Sequence, residues 1–387
     1  MFINKHIGDR RVAFASLALL IFGSLMIASA EMGTIAGDTE YLSSVIMKQA
    51  LFALAGIVVY LAAVNFRFVR LRIGLYYVGY VAILIALLAC RFFGMTNGAY
   101  AWISFGPDLT LQPSEFAKVF MIAFGARLLG YNHPQDNLRN FYLYGILSII
   151  YFAVVYEYQH DLGSAAVLLV ICFTIMLIPS YKEYTRLQKA MFVAMLCVIC
   201  LALFMMSKPA TEFLKKHSDN YMAGRFLAAA DPFLYQYDNG YHIIMSLVSF
   251  ANGGWFGLGY GNSIHKYMNF PNPSNDFILP VIVEELGILG FCGLIIAYGL
   301  MLYPIIAASL KAEKTISKIV LLGTFMYFIT HFILNVGGVS GLIPLTGVPL
   351  LLISSGGSSL LASMISLGLS QNELITMEMR KNAGNSR

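Results

Sequence analysis

Charge is what this chain has least of. Asp, Glu, Lys and Arg make up 12% of its 387 residues against 58% apolar, and mean hydropathy is +0.72. A chain so composed cannot cover its apolar side chains with a water-facing surface, which excludes a soluble globular domain and indicates a polytopic membrane protein. The net charge of +5 does not point to nucleic acid, because the basic residues are spread through short inter-helix loops as a topology signal rather than gathered in a patch. Cysteine is scarce too. Cys90, Cys172, Cys197, Cys200 and Cys292 all fall inside apolar runs, so Cys197 and Cys200 are expected to pack in a membrane helix, not to do redox or zinc chemistry. No small-residue cleavage site follows the first apolar run, which is expected to stay as a span. No internal repeat of the transporter kind is visible.

Apolar runs long enough to cross a core of about 30 Å begin near Ala13, Gln49, Ile73, Phe116, Phe141, Ser164, Met191, Ile278, Ile319 and Pro349. They predict an all-α fold of about ten transmembrane helices in a single membrane domain, residues 1–387. One set of loops holds 17 of the 25 Lys and Arg residues, among them Lys5, Arg10, Arg67, Arg139, Lys182, Lys314 and Arg387. The other side holds eight: Lys48, Arg91, Lys118, Lys208, Lys215, Lys216, Arg225 and Lys266. Both termini are therefore expected in the cytoplasm. The long connection, residues 208–277 between the seventh and eighth spans, is then extracellular, and its amphipathic stretches suit the bilayer surface.

Four segments carry chemistry. In LQPSEFAK, Pro113 fits a helix first turn, Glu115 is placed to reach back to the helix start, and Glu115 and Lys118 share a face. A cation inside a span marks a functional candidate. In YQHDLGSA, Asp161 opens the sixth span and either caps it or joins a site, with His160 an interfacial neighbour. In NDFILPVIVEELG, Asp276 ends the long loop beside Pro271 and Pro273, where capping and chemistry are both open. Glu284 and Glu285 lie about two turns deeper, where acids need partners or water. The glycines and prolines between Asn335 and Ser363 break a helix. Such irregular backbone survives only against protein or a water-filled cavity, and its serines either bind phosphate or brace helices. The Gly253–Gly261 glycines do not form a dinucleotide loop, since no strand precedes them.

Taken in order, NGAYAWISFGPDLTLQPSEFAK, QHDLGSA, GYHIIMSLVSFANGGWFGLGYGNS, NDFILPVIVEELG and PLTGVPLLLISSGGSSLL resemble the SEDS family (shape, elongation, division and sporulation), which includes FtsW, RodA and SpoVE. The resemblance spans Asn97 to Gly368 and leans toward the FtsW and SpoVE side. It implies a peptidoglycan glycosyltransferase of the bacterial cytoplasmic membrane that polymerises lipid II, for division or cell shape, beside a class B penicillin-binding protein. Carried over by position, Asp276 matches the essential loop acid, Glu115 and Lys118 the QPSE-x-x-K pair, and Asp161 the acid of the QPDLGTA motif. Lys48 resembles the basic residue opening the second helix, and Arg225 the arginine before the loop's DP. The chain departs from the pattern at Ala101, His160, His242 and Ser355, and lacks the Glu and His of the approach to Asp276.

The implied mechanism has Asp276 take the proton of the acceptor's GlcNAc 4-hydroxyl, while Lys118, Lys48 and Arg225 steady the departing undecaprenyl pyrophosphate and Glu115 holds Lys118. A divalent cation, Mg or Mn, is left open; no metal-ligand spacing is visible, and Asp276 as its ligand is the alternative. The rival readings are a lipid II flippase and a scaffold without chemistry of its own.

Overall fold

The computed structural model describes residues 8–34, 39–96, 98–106, 109–130, 137–179, 184–217, 221–237, 239–268 and 273–385. Lys5, Asn97, Lys182, Pro271, Asn272 and Arg387 lie outside them. Thirteen helices are found among the described residues: α1 Arg10–Thr34, α2 Thr39–Asn65, α3 Ile73–Ala89, α4 Pro113–Gly130, α5 Asn137–Ala153, α6 Leu162–Leu177, α7 Thr185–Met205, α8 Lys208–His217, α9 Tyr221–Ala230, α10 Asn239–Gly253, α11 Ile278–Lys311, α12 Thr315–Val339 and α13 Gly357–Asn385. A small antiparallel hairpin, β1 Ile103–Ser104 and β2 Thr110–Leu111, precedes α4. The fold is all-α, as read from the sequence. Seven helices (α1, α2, α3, α5, α7, α11 and α12) are long and apolar enough to cross a membrane, and α6 is a shorter apolar one. Each expected run falls on a helix. The last begins at Gly357 rather than near Pro349, because 340–356 is non-helical.

Helix α4 is the centre of the bundle, packed by α3, α5, α6, α12 and α13. Its small residues let neighbours close in. A Cβ on Gly125 would stand 2.8 Å from Ile175 Cγ2, and on the facing α12 one on Gly323 would stand 2.9 Å from Ile122 Cγ2. By contrast α7 has no buried residue and touches the rest of the chain only lightly, through α6 and α8. Cys197 and Cys200 lie on this apolar helix and are exposed there, so any packing they make is not within this chain.

The long connection folds into α8, α9, α10 and short 3₁₀ turns. It does not simply lie on a surface. His242 meets Phe277 at the start of α11, with ring centroids 5.6 Å apart, while Gly253 at the other end of α10 meets Val283. α10 thus descends beside the first turns of α11, and the chain then returns so that Lys266 reaches Ser29 of α1. The glycines explain this re-entrant turn. Gly257 has φ +77, its added Cβ would lie 2.2 Å from Glu285 O, and Gly259 N donates to that same oxygen. On the other side Gly287, at φ +68, kinks α11 against Trp255. Replacing Gly257 with Ala forces both a left-handed residue and a backbone clash, and is expected to cost about 3 kcal/mol; thermal unfolding in detergent, read by tryptophan fluorescence, measures it.

Glu284 and Glu285, both fully buried, hold this turn in place. Glu284 accepts from Ser263 Oγ at 2.5 Å and pairs with His265 Nδ1 at 2.6 Å. Glu285 pairs with Lys266 Nζ at 2.8 Å and accepts from Ser29 Oγ and Gly261 N. These deep acids are structural, the buried charges being met by partners as burial requires.

Candidate active site

A cavity of about 660 Å³ opens where α1, α2 and the starts of α4, α6, α11 and α13 converge. Four of the six residues singled out in the sequence line it: Lys48, Asp161, Arg225 and Asp276. They come from four separate segments, so only the fold brings them together.

Asp276 is half-buried and does not cap α11. The N-cap position is Phe277, without a side-chain cap, and the Asp276 carboxylate accepts no hydrogen bond among the described residues. Its lone pairs therefore remain free toward the cavity. Burial pushes its carboxyl up to about 6, the facing Asp161 adds to the rise, and Arg225 opposes it. Asp161 is different in kind. One oxygen caps α6 by accepting from Ser164 N at 3.0 Å, and the other accepts from Gln112 Nε2 at 3.0 Å. Asp161 thus caps α6 and also lines the cavity.

Lys48 is exposed on the cavity wall. Phe52, one turn along the same face of α2, lies so close to Gly357 that a Cβ there would sit 2.4 Å from its ring. Lys48 thus lines the same cavity as the α13 N-terminus, whose Gly356, Gly357, Ser358 and Ser359 are also lining residues. A helix start beside a lysine is suited to anions.

Glu115 and Lys118 are placed elsewhere. Their side chains are 1% exposed, paired at 2.7 Å, and do not line the cavity. Glu115 does not reach back to the helix start; its second oxygen accepts from Tyr327 OH at 3.0 Å. Lys118 Nζ also meets His331 Nε2 at 3.3 Å, and His331 Nδ1 meets Pro349 O at 3.1 Å. Because Pro349 is itself a lining residue, the pair braces the cavity wall from behind. Lys118→Met alone leaves Glu115 charged and buried, at an expected cost of about 3–5 kcal/mol. Lys118→Met with Glu115→Gln is expected to cost clearly less. A double-mutant cycle on melting temperature checks this.

Several residues of the site were not singled out in the sequence. Glu31 at the end of α1 lines the cavity and accepts from Ser274 Oγ; an acid at the far end of a first apolar run was its only signal. Gln112 and Gln49 add to the polar lining, and His160, already noted beside Asp161, lines the cavity at φ 59 next to Tyr100. No group of three His, Cys, Asp or Glu residues placed to hold a metal occurs among the described residues, and both Asp161 oxygens are engaged.

The arrangement offers an uncapped carboxylate, separated cations and an anion-binding helix start around one cavity. A chain of a solved peptidoglycan synthase complex, described as coordinating polymerization and crosslinking, superposes with a TM-score of 0.70 at 25% identity, covering 95% of this chain and 98% of that one. The crystal structure of Thermus thermophilus RodA matches with a TM-score of 0.65 at 23% identity over 96% and 98% of the two chains. A probable peptidoglycan glycosyltransferase FtsW from Saccharophagus degradans is 31% identical over 92% of this chain and 90% of its own length. The Stage V sporulation protein E of Bacillus subtilis is 28% identical over 96% and 98%. The family model described as cell cycle protein matches residues 10–378, and the chain belongs to that family of FtsW, RodA and SpoVE proteins.

Proposed function

We propose that this protein is a peptidoglycan glycosyltransferase that polymerises lipid II at the outer face of the bacterial cytoplasmic membrane. The observation that carries the reading is Asp276, a carboxylate with free lone pairs in a cavity that also holds Lys48 and Arg225. Relatives named peptidoglycan glycosyltransferase cover nearly the whole chain. Asp276 takes the proton of the acceptor sugar hydroxyl, whose oxygen attacks the anomeric carbon of the donor. The bond to the donor's diphosphate breaks, and the departing charge is met by Lys48, the α13 N-terminus and Arg225. The base, not a cation ligand, is the role given to Asp276, and no step passes through a metal. Glu115 and Lys118 support the wall on which this happens.

The basic-loop asymmetry supports ten crossings with both termini in the cytoplasm. The outer placement of residues 208–277 puts the site beside the lipid head groups. A class B penicillin-binding protein is the partner, in keeping with the synthase complex that the fold matches.

Purified protein in detergent micelles, given lipid II with and without that transpeptidase, tests the reading. An enzyme forms glycan polymer with no second compartment. A flippase forms none and moves lipid II only across a sealed bilayer, and that outcome refutes the proposal.

A further inference from the structure

Asn335 lies near the end of α12 and is 3% exposed. Its Nδ2 donates to two main-chain carbonyls, those of Asp276 and Val348, each at 2.9 Å. Both acceptors lack a helical donor. In a continuing helix the Asp276 carbonyl would accept from the residue four further on. That residue is Pro280, which has no N–H. Val348 sits in the non-helical stretch 340–356. The orientation of the carboxamide follows, because turning it over would set Oδ1 against two carbonyl oxygens. As placed, Oδ1 finds no donor among the described residues. An acceptor left empty in the interior carries a cost, so the side chain is held by what it donates.

The same two segments are joined again on the other side of Asp276. Ser355 N donates to Ser274 O at 2.7 Å, and Ser274 Oγ reaches Glu31. The carboxylate also lies against this wall: a Cβ on Gly347, at φ +67, would stand 3.5 Å from Asp276 Oδ2. We propose that Asn335 is a positioning residue that ties the Asp276 peptide to the re-entrant stretch and so aims the carboxylate into the cavity. The inference rests on Asp276 being the general base. A base displaced by about 1 Å loses on the order of 10²-fold in rate. Removing the tie should therefore act on turnover, while the surfaces that bind lipid II stay in place.

Initial rates against lipid II concentration, for detergent-purified Asn335→Leu, Asn335→Ser, Asn335→Gln and Asp276→Asn beside wild type, make the test. Asn335→Leu is expected to lower kcat by about 10–100-fold with KM within about threefold. Asn335→Ser keeps one donor and falls less. Asn335→Gln, which keeps the NH₂ group, should recover at least about fivefold over Leu and exceed Ser, and the Ser-to-Gln comparison stands on its own if the Leu variant does not fold. Wild-type kcat in Asn335→Leu and Asn335→Ser beside an inactive Asp276→Asn overturns the inference and spares the base. A rise in KM matching the fall in kcat, with Gln no better than Leu or Ser, marks a general structural role and overturns it too. Full activity in Asp276→Asn sinks the base itself.

Discussion

Asp276→Asn lowers the rate of lipid II polymerisation by at least about 10²–10⁴-fold, the usual worth of a positioned base, while the protein folds and binds its transpeptidase as before. Asn has the same shape, and no hydrogen bond is lost, because the Asp276 carboxylate accepts none among the described residues. The variant is also expected to be the more stable protein at neutral pH. The Asp276 carboxyl is raised from 3.8 to about 6 in the fold, so its ionised form is disfavoured there relative to the unfolded chain. That penalty is absent below about pH 4, grows as pH rises toward 6, and is constant above. The gain in melting temperature from Asp276→Asn should follow the same course, large at pH 7.5 and vanishing near pH 4. Such a gain on losing a charge would mark Asp276 as a residue kept for chemistry rather than for folding.

Loss of the two cavity cations is the second large effect. Lys48→Met and Arg225→Met are each expected to reduce turnover by about 10²-fold, the scale of removing one group that meets developing charge. The reduction should appear in kcat more than in KM, since the diphosphate gains its charge as the bond breaks. The two sites differ in one respect. Arg225 also opposes the rise of the Asp276 carboxyl, so its loss alters the base as well as the leaving group, whereas Lys48 acts from the α13 side. Lys118→Met, in contrast, should show mainly as lost stability, because its ammonium never reaches the cavity. Assays corrected for folded protein separate the two behaviours.

Hydropathy made the ten helical runs legible, because a membrane core demands continuous apolar length. Asp276 was legible for the opposite reason, as a charge at the edge of such a run. Lys118 shows where spacing stops. The Glu115 partner is three residues away on one helix, but Tyr327 and His331 belong to α12, more than 200 residues on, and only they show that the ammonium is sealed in. The glycines from Gly253 to Gly261 were read as something other than a nucleotide loop. Their cause, main-chain contact with Glu285 and Gly287 of α11, could not be seen without the partner helix. Glu31 went unremarked because a single acid closing a first span has the look of a simple loop residue. The capping expected of Glu115 failed because a buried lysine and tyrosine compete for the same carboxylate.

The most direct measurement is the pH dependence of kcat/KM, which reports the free enzyme, between pH 4.5 and 8 for wild type, Asp161→Asn and Arg225→Gln, with Asn at position 161 keeping the α6 cap. With Asp276 as the base, kcat/KM rises with pH through a midpoint near 6 in the wild type. Removing the Asp161 charge moves that midpoint down, and removing the Arg225 charge moves it up. An acid limb that stays put in both variants, or that survives in the residual activity of Asp276→Asn, would contradict the account.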